Sequence, residues 1–288
     1  MTAHKYIKWF SEDTPFTSEE YSLNNNLAKS LASKSFDAIQ DHYTGVGTDG
    51  FRKMFSAAGI DLAKYCSGKG IDLGGGPGVL TSFFAMQEWV DEITCCEIVE
   101  NCIKDCHPIV FNKLLTTQEK EKVVSVWGSF DEIAYPDDTL DFAVFYDAMH
   151  HSNDPTVTLK EVHRALKPGG FVIILDRFHN DSTSDEEIER LLNIQYSEEF
   201  LRMNFLDPKK ILTRRMNGEH EYRYSEWLAF FGQAGFALED LKVLCSDPDM
   251  EPNDVGYSEI PVDFAMGGFF KRKAFFVLRS EESGARAT

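Results

Sequence analysis

The chain has no stretch long and apolar enough to cross a bilayer. Its opening residues, MTAHKYIKWFSEDTPF, lack the apolar run of a secretory signal. Both absences set the expectation of a cytoplasmic protein without membrane insertion. Positive charge is scarce: 29 Lys and Arg stand against 47 Asp and Glu, a formal net charge of −18. A surface that acidic repels phosphate backbones, so nucleic acid is not the expected partner. The basic clusters are short, Arg214-Arg215 and Lys271-Arg272-Lys273, and read as solvated loop charges. Cysteine is sparse, with six residues: Cys66, Cys95, Cys96, Cys102, Cys106 and Cys245. In a chain of this kind reduced thiols are the default. Cys102, Cys106 and His107 share a predicted helix, but no second ligand pair sits at zinc-site spacing, so no metal is expected. Internal repeats and low-complexity tracts are lacking as well.

What is present is enough to build a core. Hydrophobic residues make up 43% of the 288 positions. That size predicts one large domain, or one domain with an insertion. Residues 1–66 are polar and read as a helical N-terminal cap. Leu23, Leu27, Leu31 and Phe36 recur at roughly helical spacing, and a second helix is predicted over Phe51–Ala63.

From Gly68 onward, short apolar strands alternate with helix-length segments. Strands are predicted at Ile71–Leu73, Glu92–Glu97, Val123–Val126, Phe142–Tyr146 and Phe171–Asp176, with helices Val79–Gln87, Val99–Leu114 and Thr156–Leu166 between them. Such alternation predicts a mostly parallel, Rossmann-like α/β sheet. It breaks after Asp176. Residues 179–224 carry a predicted helix from Asp185 to about Asn204 and form too long a connection for an ordinary loop, which suggests a lid insertion. Helix Ser225–Ala234 and strands Ala237–Leu244 and Ala274–Leu278 complete a core spanning 67–178 and 225–280. A Pro-, Asp- and Gly-rich loop, Ser246–Arg272, separates the last two strands, and 281–288 read as a disordered tail.

The first strand runs into Gly74-Gly75-Gly76-Pro77-Gly78. Glycines between a strand and a helix let a ligand approach the backbone closely. A dinucleotide fold would place a third glycine at position 79, which is Val here, and this spacing argues against a nicotinamide-dependent dehydrogenase. About twenty residues on, the second strand ends in Glu97, whose carboxylate is suited to a ribose diol.

These pieces join others in a fixed order. Ile71-Asp72-Leu73-Gly74-Gly75-Gly76-Pro77-Gly78 resembles motif I of class I S-adenosylmethionine-dependent methyltransferases. The stretch from Gly128 through Phe130 and Pro136 to Asp141 resembles their "GDAEELPFPDGSFD" segment. Ala148-Met149-His150-His151 resembles their "LHH", Asp154-Pro155 follows, and Leu159–Gly170 resembles "LxExxRVLKPGG". The combination is similar to the type 11 branch, which includes ubiquinone and menaquinone methyltransferases. The resemblance covers 70–176 and leaves the cap and the lid unmatched.

The resemblance implies a seven-stranded sheet with an antiparallel last strand, and S-adenosylmethionine as cofactor. It implies that Gly74, Gly75, Gly76 and Gly78 cradle the methionine part, with Asp72 ordering the loop and holding the amino group. Glu97 would take the ribose hydroxyls, Ile98 and Phe130 would lie at the adenine, and the Tyr146 carbonyl would face the amino group. Ser129 stands where the family has Asp at the adenine amino group, and Asp131 is a second acceptor nearby. The expected reaction is in-line methyl transfer to a small-molecule acceptor, its oxygen, nitrogen or carbon identity left open. A catalytically silent cofactor-binding subunit of the same fold is the alternative. An oxygen acceptor needs a base, and the candidates are His151, then His179 and His150, all just beyond strand ends. Tyr43 and the Asn24–Asn26 run are further candidates to reach the pocket, and Arg223 to meet an acidic substrate; surface or loop contact is the alternative for each.

Overall fold

The computed structural model describes residues 6–10, 19–203, 206–244, 257–258 and 273–281. Its strands are β1 (Ile7–Lys8), β2 (Gly68–Leu73), β3 (Val90–Glu97), β4 (Val123–Trp127), β5 (Leu140–Tyr146), β6 (Leu166–Arg177), β7 (Phe236–Leu244), β8 (Tyr257–Ser258) and β9 (Lys273–Ser280). They form one nine-stranded sheet in the order β1-β4-β3-β2-β5-β6-β9-β7-β8. The strands from β2 to β6 pair in parallel, and β9 runs antiparallel between β6 and β7. The expected seven strands are therefore present, and two-residue strands β1 and β8 extend the edges.

Helices cover both faces, so the central strands are buried on each side and read as continuous apolar runs. Along β5, Phe142 and Val144 pack on one face with Phe51, Phe55 and Phe83. The alternate residues Ala143 and Phe145 pack on the other, with Leu159, Trp227 and Phe231. That alternation is the two-residue period of a strand.

Several element boundaries differ from expectation for local reasons. The first helix, Glu19–Ala32, stops before Phe36, because the Ser35 side chain accepts from Ala38 N and starts a new helix, Phe36–Tyr43. The helix expected over Phe51–Ala63 is Thr48–Ala57 followed by Leu62–Tyr65, divided by Gly59 at φ +67°. The segment predicted as one helix from Asp185 to about Asn204 is two, Asp185–Leu192 and Glu198–Met203. Between them Gln195 bridges Thr213, and Ser197 Oγ caps the second by accepting from Phe200 N at 3.1 Å.

The helix after β3 opens with a π-helical turn, Cys102–Cys106, before regular helix His107–Leu114. Pro108 has no amide to bond back four residues, and the turn before it widens. Among the described residues no helix is long and apolar enough to cross a membrane. Most of the expected loop Ser246–Arg272, and the expected tail beyond Glu281, lie outside the described residues.

Trp227, on helix Tyr224–Gln233, is fully buried against Phe231 and Phe276, and its indole N–H donates to the Arg177 carbonyl at 3.0 Å. Trp227→Ala is expected to cost about 3–5 kcal/mol of unfolding free energy, read by equilibrium urea denaturation. A loss below about 1 kcal/mol would remove this helix from the core.

Candidate active site

The loop after β2 is built from left-handed glycines, with φ of +70° at Gly74, +53° at Gly76 and +85° at Gly78. At Gly78 a Cβ would also stand 2.5 Å from the Phe111 ring, so the close packing of the next helix requires glycine there. Two side chains fasten the loop. Glu97 Oε2 accepts from Gly76 N at 2.8 Å while its Oε1 accepts from Val99 N at 2.7 Å. His107 Nε2 donates to the Gly76 carbonyl at 2.9 Å and its Nδ1 meets Ser125 Oγ at 2.9 Å. Cys102 lies on the hydroxyl of Tyr43 at 3.1 Å, and Cys106 donates to the Ala28 carbonyl at 3.5 Å. Cys102, Cys106 and His107 thus brace the loop and the preceding helices.

Asp72 is 1% exposed. Thr81 Oγ1 donates to its Oδ2 at 2.6 Å, and its Oδ1 has no hydrogen-bond partner. Burial, with the charge of Glu97 adding, pushes its pKa up to about 7. An orphaned carboxylate oxygen of this kind fits a cationic ligand group, which would satisfy it and restore its charge.

Among the described residues, two cavities border the loop and a third adjoins them at Tyr43 and Asp147. A small one of about 110 Å³ is lined by Asp72, Gly74, Gly75, Gly76 and Tyr146. A second, of about 410 Å³, is lined by Glu97, Ile98, Gly128, Ser129, Phe130 and Asp131. The third, of about 380 Å³, takes its wall from Leu27, Tyr196, Phe200, Leu206 and Leu212. Tyr43 and Asp147 line all three, and Asn24 and His151 line the second and third. Every sequence-predicted cofactor residue except Gly78 therefore borders the first or second cavity; Gly78 closes the loop behind them.

The third cavity has a floor of alternating charges. Asp147 follows β5 in a left-handed conformation, φ +50°, unusual outside glycine. Its Oδ2 pairs with Lys273 Nζ at 2.8 Å. Burial alone would raise the Asp147 pKa, but the Lys273 ammonium and neighbouring cations hold it far below the usual carboxylate range. Arg177 pairs with Glu219 at 2.8 Å, and Arg214 is bonded to Glu221. Lys273 and Arg214 correct the reading of their clusters as solvated charges: Lys273 is 2% exposed and pairs with Asp147, and Arg214 is drawn inward by the buried Glu221.

The three histidines differ. His150 is buried; its Nδ1–H donates to Asp176 Oδ1 at 2.8 Å, and Arg177 Nη2 donates to its Nε2 at 2.7 Å. Both of its nitrogens are thus engaged within the protein. The clusters His150–His151–Glu219 and Asp147–His150–Asp176 bring ligating atoms together, but each needs this same His150. His179 pairs with Glu221 at 2.6 Å and lines none of the three cavities. His151 does line two, with Nδ1–H donating to the Gly218 carbonyl at 3.0 Å; burial pushes its pKa down to about 4. Arg223 is committed to Asp185, Glu226 and the Thr183 carbonyl, away from the cavities. Asn24 reaches the cavities, whereas Asn25 binds Asn101 through its Oδ1 and its carbonyl.

A methyltransferase-domain family model matches residues 34–241. The chain belongs to this family, the class I S-adenosylmethionine-dependent methyltransferases. Similar curated proteins include the glycine/sarcosine/dimethylglycine N-methyltransferase of Actinopolyspora halophila, 31% identical over 43% of this chain and 21% of that protein. The ubiquinone/menaquinone biosynthesis C-methyltransferase UbiE of Psychromonas ingrahamii is 25% identical over 61% of this chain and 65% of its own. The methyltransferase YcgJ of Bacillus subtilis is 25% identical over 60% of this chain and 58% of its own. Its crystal structure superposes with a TM-score of 0.52, covering 79% of this chain and 99% of that one at 17% identity, which shows a shared fold. The chain thus spans less than two thirds of each of these curated relatives. The family's cofactor is S-adenosylmethionine, and the orphaned Asp72, the glycine loop and Glu97 fit it.

Two titrations test the site. The raised Asp72 pKa means that the fold favours the protonated acid. Its contribution to stability is fully present below about pH 4 and lost as pH rises through 7. Asp72→Asn should therefore stabilise the ligand-free protein at pH 8 by roughly 2–4 kcal/mol and change little at pH 4; urea denaturation at both pH values reads this, and a variant weaker than wild type at pH 8 would contradict it. Separately, NMR titration of the His151 imidazole should give a midpoint near 4. A midpoint of 6 or above would show that the ring is solvated.

Proposed function

We propose that the protein transfers the methyl group of S-adenosylmethionine to a small-molecule acceptor held in the third cavity. One observation carries this reading: Tyr43 and Asp147 border all three cavities. The pockets suited to the methionine, to the adenosine and to an acceptor therefore meet at one place. The names of the relatives, acting on glycine derivatives and on quinones, support a small acceptor.

The cofactor supplies a methyl group already activated by a sulfonium. The chain then has to bind, align and exclude water. In this reading Asp72 and the Tyr146 carbonyl hold the amino group, and Glu97 takes the ribose hydroxyls. Its orientation is already set by the Gly76 and Val99 amides. Ile98 and Phe130 border the adenine, with Ser129 and Asp131 as acceptors for its amino group. Ser129 Oγ accepts from Asp131 N at 3.1 Å, and Asp131 is bonded by Thr158, so both are ordered in advance. Residues 179–224 act as a lid and 1–66 as a cap. The lid contributes Tyr196, Phe200, Leu206, Leu212, Asn217 and Glu219 to the acceptor cavity, and the cap contributes Leu23, Asn24, Leu27, His42 and Tyr43. His151, with Nδ1 engaged, is the histidine placed to touch the acceptor.

Glu97→Ala is expected to weaken S-adenosylhomocysteine by about 1.5–3 kcal/mol, the size of charge-assisted hydrogen bonds. Isothermal titration calorimetry measures it, with NAD as a control that should not bind. Binding of NAD in preference to the homocysteine derivative would overturn the reading.

A further inference from the structure

We propose that the Asp147 carboxylate is the counter-ion of the cofactor's sulfonium, and that the site thereby tells S-adenosylmethionine from its demethylated product by charge. This deepens, and rests on, the reading of the site as a methyl-transfer centre.

The first support is the sign of the charge around the cofactor. Asp72 and Asp147 are the acidic side chains that line the small cavity, and Glu97, Asp131 and Asp147 those that line the adenosine cavity. Among the described residues no lysine or arginine lines either one, whereas Arg177 and Lys273 line the third. Walls of one sign favour a ligand that brings the opposite charge. Asp147 is the one carboxylate common to both cofactor cavities, and it stands where the third cavity opens. The methionine and adenosine parts of the cofactor are joined at sulfur, so the group that falls at this junction is the sulfonium.

The second support is that the carboxylate is fixed and still open to a ligand. The Asp147 amide donates to the Leu175 carbonyl at 2.8 Å, and its Oδ2 pairs with Lys273 Nζ at 2.8 Å. The turn that follows lies on the glycine loop, because a Cβ added at Gly74 would stand 2.7 Å from the Ala148 Cβ. The Asp147 side chain nevertheless keeps 35% exposure, against 3% for that of Lys273. The ammonium therefore stands behind the carboxylate, outside both cofactor cavities.

The third support is what changes in the reaction. The acceptor's electron pair forms the new bond to the methyl carbon, and the carbon–sulfur pair stays on sulfur, which becomes a neutral thioether. Amino group, carboxylate, ribose and adenine are the same before and after, so what Asp72 and Glu97 hold is unchanged. Only the attraction at Asp147 is lost. An interaction that fades along the reaction tightens the charged cofactor without speeding the chemical step. Its consequence is release: the product leaves a site that refills from a mixture with the charged form.

The test is calorimetry on the full chain at neutral pH with three probes: S-adenosylmethionine, S-adenosylhomocysteine and sinefungin, in which an ammonium-bearing carbon replaces the methylated sulfur. Both cationic probes should bind at least tenfold more tightly than S-adenosylhomocysteine. Asp147→Asn keeps a residue type that tolerates the left-handed backbone. It should weaken the cationic probes about tenfold and leave S-adenosylhomocysteine within about twofold, so that the preference collapses. Asp147→Asn combined with Lys273→Met removes both charges of the pair and should show the same collapse, even if the single variant fails to fold around an unpaired lysine. A purely structural role for Asp147 would weaken all three probes alike. That result, a preference unchanged in the variants, or wild-type protein that binds S-adenosylhomocysteine as tightly as S-adenosylmethionine would each overturn the proposal. Binding of none of the three would instead overturn the methyl-transfer reading beneath it.

Discussion

The site depends on one ion pair, the buried Lys273 with the part-exposed Asp147. Strand β9 inserts antiparallel between β6 and β7, and its first residue pairs in register with Arg177. Two cations thus face each other across adjacent strands, an arrangement that repels, and Lys273 is 2% exposed. Such a pair of positions is tolerable only with anions placed against both. The Asp147 carboxylate answers Lys273, and Glu219 answers Arg177. Removing either acid would leave an uncompensated buried charge, which costs several kcal/mol. The pair also fixes the turn after β5, where Asp147 takes its left-handed conformation, and so sets the point at which the three cavities meet.

Outward from that point the binding surface is held by side chains rather than by the glycine loop alone. Glu97 clamps the loop from β3, and His107 clamps it from the helix that follows. The amides of Gly74 and Gly75 are spent on the Cys96 carbonyl, at 2.9 and 3.2 Å. The loop is therefore shaped before any ligand binds, and the orphaned Asp72 oxygen is what it presents to a cation. The arrangement is preorganised, so the free energy of binding is not consumed in ordering the loop.

The parts legible in the sequence were those set by local geometry. The glycine run at the end of β2, Glu97 at the end of β3, and the histidines after β5 all follow from reading strand ends, and each lies beside or behind a cavity. The charged floor was not legible. Lys273, Arg177, Arg214, Glu219 and Glu221 are far apart in sequence, and nothing local distinguishes them from solvated charges; only the closing of the sheet brings them together. Arg177 carried a faint signal, a cation at the carboxyl end of a parallel strand, two residues past its last apolar residue. Tyr43 was visible as a candidate to reach the pocket, but its place at the meeting of three cavities required the tertiary packing of the first helices. The break in the lid helix had a readable cue that helical periodicity outweighed: Asn193 and Ser197, both residue types that favour helix ends. His179 failed as a pocket residue because strand-end position says nothing of direction, and its ring turns toward Glu221.

The central claim is that cofactor and acceptor meet beside Asp147 and Tyr43. A crystal structure of the complex with S-adenosylhomocysteine tests it most directly. The account predicts the amino group on Asp72 Oδ1, the ribose hydroxyls on Glu97, and the sulfur beside Asp147 and Tyr43, facing the cavity lined by His151, Tyr196 and Phe200. A ligand whose ribose lies away from Glu97, or whose sulfur points away from that cavity, would contradict it.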